Sequence, residues 1–271
     1  MSQSPNTEIF TRRVCLQLDG MEHMAVRRDI PYGVAERGLH FDAYYPPDAS
    51  GDRRYPAVII VAGYPETMKP RATPLSYKEI GWTVSMAQLI AMSGIAAIAY
   101  TNHDPAADLE TLSEHIHAHA ESLRIDPARL GILAVSGNVP TGLTTIMRDA
   151  RHTPACAVFG YGCLLDLDDA TDVADTARQF GFANPTAGRS FADLRWDVPL
   201  LITRAGLDQF PAMNASIDRF ARQALRENLP ITLVNHAAGA HAFDLFEDTR
   251  ASRDVVRQTL RFLQQHLTSG D

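Results

Sequence analysis

The chain predicts an α/β fold: a mostly parallel central sheet with helices on both faces, preceded by antiparallel strands. Three observations carry this. Short continuous apolar runs such as Val58-Ile59-Ile60-Val61 recur along the chain and suit strands buried on both faces. Helical stretches alternate with these runs, as crossover connections of a parallel sheet require. Near the N-terminus the apolar residues alternate singly instead, the pattern of antiparallel strands.

Over residues 12–47 the alternating positions are Val14, Leu16 and Leu18, then Leu39, Phe41, Ala43 and Tyr45, with Gly20 and Pro31-Tyr32-Gly33 as turns. Residues 47–54 form a polar loop. The apolar runs 56–62, 95–100, 130–135, 155–161, 198–203 and 230–235 predict strands. Residues 77–93 predict a helix stopped by Gly94, and 108–123, 141–148, 217–228 and an amphipathic 252–266 predict the others. No repeat or low-complexity linker interrupts the order, so residues 1–271 predict one domain. Two interruptions are long for such a fold. Residues 64–77 are rich in Pro and polar side chains, and 162–196 carry acidic residues, a helical stretch and Phe180, Phe182 and Phe191. An insertion of that length over the carboxyl end of a sheet predicts a small cap.

Composition narrows the function. With 45% hydrophobic and 21% charged residues the chain is ordinary for a globular protein, and a net charge of −7 argues against a nucleic-acid or anionic membrane surface. Residues 1–13 are polar without a signal-peptide core, and no apolar run is long enough to span a bilayer, so the expected location is the cytoplasm. Cys15, Cys156 and Cys163 are odd in number and unevenly spaced. They match neither a disulfide framework nor a zinc pattern and predict buried thiols, with Cys163 the one expected near a cleft. The oligomeric state stays open, a homodimer included.

Chemistry concentrates beyond the carboxyl ends of the strands, where open α/β sheets bind ligands. The run Leu130 to Val135, the turn Ser136-Gly137 and a following helix form the strand–turn–helix context of a nucleophile elbow. The usual pattern is Gly-x-Ser-x-Gly; here Ala134 and Asn138 flank the serine. An ordinary Ser-Gly turn is the plainer alternative. Asp208 follows the run 198–203 and His241 follows 230–235, so Ser, Asp and His stand in the chain order of a hydrolase of this architecture. A serine hydroxyl attacks a carbonyl only when a base takes its proton, and His241 is the candidate base. Asp208 would orient it, or merely cap the next helix. His236 competes as base but lies at a strand end, where packing holds it. Asp166 and Asp168 are the substitute acids. His103 is a candidate substrate group, and His115 and His119 stand four apart, as metal ligands or as a solvated face.

Four stretches resemble the α/β-hydrolase superfamily, nearest its dienelactone-hydrolase-like and prolyl-oligopeptidase-like esterase branches. They are Val61-Ala62-Gly63-Tyr64-Pro65, Leu133-Ala134-Val135-Ser136-Gly137-Asn138, Arg204-Ala205-Gly206-Leu207-Asp208 and Gly239-Ala240-His241-Ala242-Phe243-Asp244. The resemblance runs from about Tyr44 to the C-terminus. It implies the α/β-hydrolase fold, Ser136 as nucleophile, Asp208 as acid and His241 as base, with the backbone N–H groups of Tyr64 and Gly137 as the oxyanion hole. Two positions depart from the pattern. Ala62 stands where the family usually has His, and the nucleophile is Ser where dienelactone hydrolases proper use Cys, which argues against dienelactone as substrate.

The expected function is a serine hydrolase without cofactor or metal, cleaving a small-molecule carboxylic ester of small or medium acyl size. Trp82, Phe180, Phe182 and Phe191 are candidate wall residues, with core packing as the plainer role for each. Thioester or C–C bond hydrolysis on the same triad, and a binding protein that kept the fold, are the alternatives.

Overall fold

The computed structural model describes residues 8–68 and 75–268. In chain order it contains α1 (Glu8–Thr11), β1 (Ala25–Pro31), β2 (His40–Tyr45), β3 (Tyr55–Ile60), α2 (Gly81–Met92), β4 (Ala96–Tyr100), α3 (Pro105–Ala118) and β5 (Ile125–Val135). There follow α4 (Val139–Leu143), β6 (Cys156–Gly160), α5 (Asp172–Phe180), β7 (Leu200–Ala205), α6 (Pro211–Arg226), β8 (Ile231–His236), α7 (Phe243–Phe246) and α8 (Arg250–Leu267). The expectations for residues 1–7 and for 69–74 of the long loop lie outside the described residues.

The strands form one sheet in the order β1-β2-β4-β3-β5-β6-β7-β8. β1 and β2 join antiparallel, and β3 to β8 run parallel to one another, as the two hydrophobic patterns predict. Period-two alternation splits each buried strand between two cores. Ala57 and Ile59 of β3, Ile132 of β5 and Phe159 of β6 pack with Leu112 of α3, Leu143 of α4 and Phe220 of α6. Val58, Ile60, Leu133 and Val158 face Leu89 and Ile90 of α2 and Leu263 of α8. Burial of each such side chain contributes about 1.5–3 kcal/mol, which holds helices on both faces.

Four local expectations are corrected. Residues 14–18 form no strand: Val14 and Leu16 are buried against α2 and α8, and the Val14 N–H donates to Ser85 Oγ at 2.9 Å, so the alternation records burial without a ladder. α3 starts at Pro105, because Asp104 caps it through the Ala107 N–H at 3.2 Å and proline suits the first turn. α6 likewise begins at Pro211. After the elbow, α4 lasts one turn and passes into a 3₁₀ turn over Thr144–Ile146; Gly and β-branched Thr are weak helix formers.

The wall of the later site is tied to the antiparallel edge. The Lys78 ammonium, 6% exposed, lies 2.7 Å from both Asp29 and fully buried Asp42. Asp29 has φ +55° at the bulge in β1.

Candidate functional site

β5 carries the chain to the carboxyl edge of the sheet, and Ser136 turns it sharply with φ +54°. That left-handed conformation costs a non-glycine residue about 1–3 kcal/mol and persists only where the surroundings enforce it. They do so by close approach. A Cβ at Gly162 would lie 2.3 Å from the Ser136 carbonyl oxygen, and one at Gly142 would lie 2.7 Å from Ala134 Cβ. The small residue of the strand thus meets the small residue of α4.

Ser136 Oγ lies 2.7 Å from His241 Nε2, and His241 Nδ1 lies 2.7 Å from Asp208 Oδ2. Asp208 is fully buried at its side chain, and its other oxygen accepts the Phe210 N–H at 2.8 Å. Donation from Nδ1 to this carboxylate leaves the Nε2 lone pair toward the serine. The two loops that supply acid and base are pressed together. A Cβ at Gly206 would lie 2.3 Å from the Ala237 oxygen, and the Leu207 N–H donates to the Gly239 oxygen at 2.8 Å. Glu247 accepts the Ala240 N–H at 2.8 Å, and Ala242 turns with φ +54°. Phe210 and Tyr161 meet the His241 ring edge-on, with centroids 5.0 and 5.2 Å away.

Tyr64 and Gly137 come together beside the serine. A Cβ at Gly137 would lie 2.6 Å from the Tyr64 hydroxyl and 2.9 Å from the Phe182 ring, so a side chain there would have to push both rings aside. Two asparagines hold the Tyr64 loop. Asn138 Oδ1 accepts the Gly63 N–H at 2.9 Å, and buried Asn102 donates Nδ2 to the Tyr64 oxygen at 3.1 Å. Asn138, a departure from the sequence pattern, is thus the side chain that joins the elbow to the loop after β3. Asn102 carries no sequence motif that points to this role; its neighbour His103 is exposed, and the His103 backbone N–H is taken by Asp108.

The rival residues sit elsewhere. His236 is buried with Nε2 3.1 Å from Ser252 Oγ. Asp166 caps α5 through the Val173 and Ala174 N–H groups, and Asp168 is exposed. His115 stacks on His119, and His117 on His152. No group of three or more His, Cys, Asp or Glu arranged for a metal ion occurs among the described residues. No helix among them is long and apolar enough to cross a membrane.

The wall candidates divide. Trp82 lines a cavity of about 310 Å³ beside Ser136. Phe182 is buried edge-on against Tyr64, with its ring 2.9 Å from where a Gly137 Cβ would stand, and the Ala183 N–H donates to the Gly63 oxygen at 3.2 Å. Phe180 is exposed and meets Phe210 at 5.2 Å. Phe191 is corrected: it packs on Trp196 and Phe220 in the core away from the serine, because the chain returns to the sheet before β7. Cys163 is corrected too. It is buried with Val173 and Met213 under α5 and α6, and burial pushes its thiol up to about 11. A larger cavity of about 430 Å³ between α3 and residues 144–152 holds no serine bonded to a histidine.

No protein-family model and no curated protein sequence matches the chain. Solved structures do. An esterase from Thermogutta terrifontis, Est2, superposes with a TM-score of 0.68 at 17% identity, over 93% of this chain and 96% of that one. The same esterase phosphonylated by sarin gives 0.69 at 17% identity, over 89% and 95%. A bacterial heroin esterase gives 0.67 at 14% identity, over 92% and 86%. The fold is that of the α/β hydrolases. In this fold β1 to β8 place Ser136, Asp208 and His241 after β5, β7 and β8, at one edge of the sheet.

Proposed function

We propose that the chain is a serine hydrolase that cleaves a carboxylic ester through an acyl-enzyme. The observation that carries this reading is the pair of 2.7 Å hydrogen bonds from Asp208 through His241 to a serine held at positive φ. Ser136 Oγ attacks the ester carbon while its proton passes to His241 Nε2. The carbonyl oxygen becomes an oxyanion beside the Tyr64 and Gly137 N–H groups. The imidazolium then returns the proton to the alcohol oxygen as the C–O bond breaks, leaving the acyl group on Ser136. Water, deprotonated by His241, repeats the sequence and frees the acid and Ser136. Asp208 orients the ring and offsets its transient charge. A donor that meets the oxyanion in such a site is worth about 2.7–4 kcal/mol.

The esterase activity that names the structural neighbours, and the sarin adduct of one of them, support an activated nucleophile in this chain. Residues 162–196 serve as a cap, anchored where Phe182 and Ala183 meet the Gly63–Tyr64 loop. The test is turnover of 4-nitrophenyl esters together with labelling by a fluorophosphonate. Stoichiometric label on Ser136, located by peptide mass spectrometry, is expected. A folded protein that takes no label, or carries it on another serine, overturns the reading.

A further inference from the structure

The cavity of about 310 Å³ is lined by Ser136 and Gly137 but not by His241, Asp208 or Phe210. We propose, resting on the ester-hydrolase reading above, that this cavity is the acyl subsite. It takes uncharged apolar acyl groups of no more than about twelve carbons, and Trp82, held by Asp244, sets its limit.

Position assigns the role. The reacting carbon carries four groups in the tetrahedral intermediate: Ser136 Oγ, the oxyanion, the leaving oxygen and the acyl carbon. The leaving oxygen has to reach His241 Nε2 to be protonated, so the alcohol leaves on the side of His241 and Phe210. The cavity on the other side remains for the acyl chain.

Lining sets the chemistry. Ile60, Ile80, Leu245, Trp82 and the rings of Tyr64 and Tyr77 face it, and no lining residue among those described carries a charge. Among the described residues a carboxylate placed there finds no counter-ion to offset its lost hydration. Volume sets the size. An apolar cavity of about 150 Å³ holds benzene; this one, about twice that volume, has room for an aryl or branched acyl group or a chain of up to about twelve carbons, but not for a long fatty chain.

Trp82 is a fixed wall. Its Nε1–H donates to Asp244 Oδ2 at 2.8 Å, and the Tyr161 hydroxyl donates to Oδ1 at 2.8 Å. Asp244 is 4% exposed, so swinging the indole away would leave a buried acceptor unpaired. Through Tyr161, whose ring meets His241, one carboxylate braces both the cavity wall and the base.

The test is the acyl profile of kcat/KM over 4-nitrophenyl esters from acetyl to hexadecanoyl, with fluorophosphonate labelling of each variant as the check on the site. In the wild type kcat/KM should climb about three- to fourfold per methylene to a maximum at or before about twelve carbons, then fall. The adipate half-ester should lie at least about a hundredfold below the heptanoate. Trp82→Ala should raise the hexadecanoyl-to-hexanoyl ratio about tenfold or more, and Trp82→Phe, which loses the N–H but keeps bulk, should raise it less. Should Trp82→Ala fail to fold, Trp82→Phe and the wild-type profile decide. A flat wild-type profile, an adipate half-ester as good as heptanoate, or Trp82 variants with the wild-type profile overturns the subsite while labelled Ser136 keeps the hydrolase reading. Absence of both turnover and label takes down the two together.

Discussion

The carboxamide oxygen of Asn138 accepts the N–H of Gly63 at 2.9 Å, and a Cβ at Gly63 would lie 2.6 Å from the Asn138 Cα. The elbow and the loop bearing Tyr64 are therefore locked edge to edge. Asn138→Ala leaves a buried donor unpaired, for an expected loss of about 1–3 kcal/mol in stability. On the proposed reading it also loosens the loop that carries the Tyr64 donor of the oxyanion hole. We expect kcat to fall about ten- to a hundredfold with a much smaller change in KM. Asn138→Gly, which restores the residue common at such elbows, should do no better. Steady-state kinetics on both variants check this, and kcat within twofold of wild type would rule it out.

Asp208→Asn should leave the melting curve near wild type and lower kcat by up to about ten-thousandfold, because an amide at that place favours the wrong imidazole tautomer. Asp166→Asn should weaken the start of α5 and leave kcat far less affected, since its carboxylate serves the Val173 and Ala174 N–H groups. The ratio of the two kcat values is the measurement.

Ser136→Ala should abolish fluorophosphonate labelling and reduce ester turnover to what binding and the oxyanion donors leave behind. The deletion removes no core volume and only the hydrogen bond to His241, so the folded state should survive in the far-UV spectrum.

Gly142→Ala should destabilise, although alanine ordinarily improves a helix by about 0.8–1.0 kcal/mol. The added methyl would lie 2.7 Å from Ala134 Cβ and 3.1 Å from the Phe159 ring. Overpacking of that kind costs about 1–3 kcal/mol. Thermal unfolding gives the sign directly.

The histidine stacks predict a pH dependence of stability. Burial, then the neighbouring His119, lowers the pKa of His115, and burial, then His117, lowers that of His152. A free histidine titrates near about 6.5. As pH drops below that value the unfolded chain takes up protons that the folded one resists, so stability falls toward acid. His115→Gln and His152→Gln should each flatten the slope of the urea midpoint between pH 7 and 5 relative to wild type. An unchanged slope in both would refute it.

The sheet and the chain order of Ser136, Asp208 and His241 were legible because buried parallel strands write continuous apolar runs and because each residue follows one of them. Element ends were less so: Asp104-Pro105 and Phe210-Pro211 start helices earlier than the apolar periodicity does. Residues 14–18 misled because alternating burial needs no strand partner. The role of Asn138 was hidden for a different reason. Its partner Gly63 lies 75 residues earlier, and a hydrogen bond between two loops leaves no periodic trace. Phe191 and Phe182 look alike in sequence, and only the path of the chain sends one to the core and the other over Gly137.

Lys78 sits next to Tyr77, a wall of the proposed acyl cavity, yet its ammonium is gripped by Asp29 and Asp42 of the antiparallel hairpin. Those two acids come from a part of the sheet that supplies none of the reacting groups. The hairpin can therefore act as a tuning screw. On the proposed reading, a change at Asp29 acts first on the backbone that carries Tyr77, and so on which esters fit, before it reaches Ser136, Asp208 and His241. The Lys78 anchor is a handle on the cavity remote from the base, unlike Asp244, which braces both.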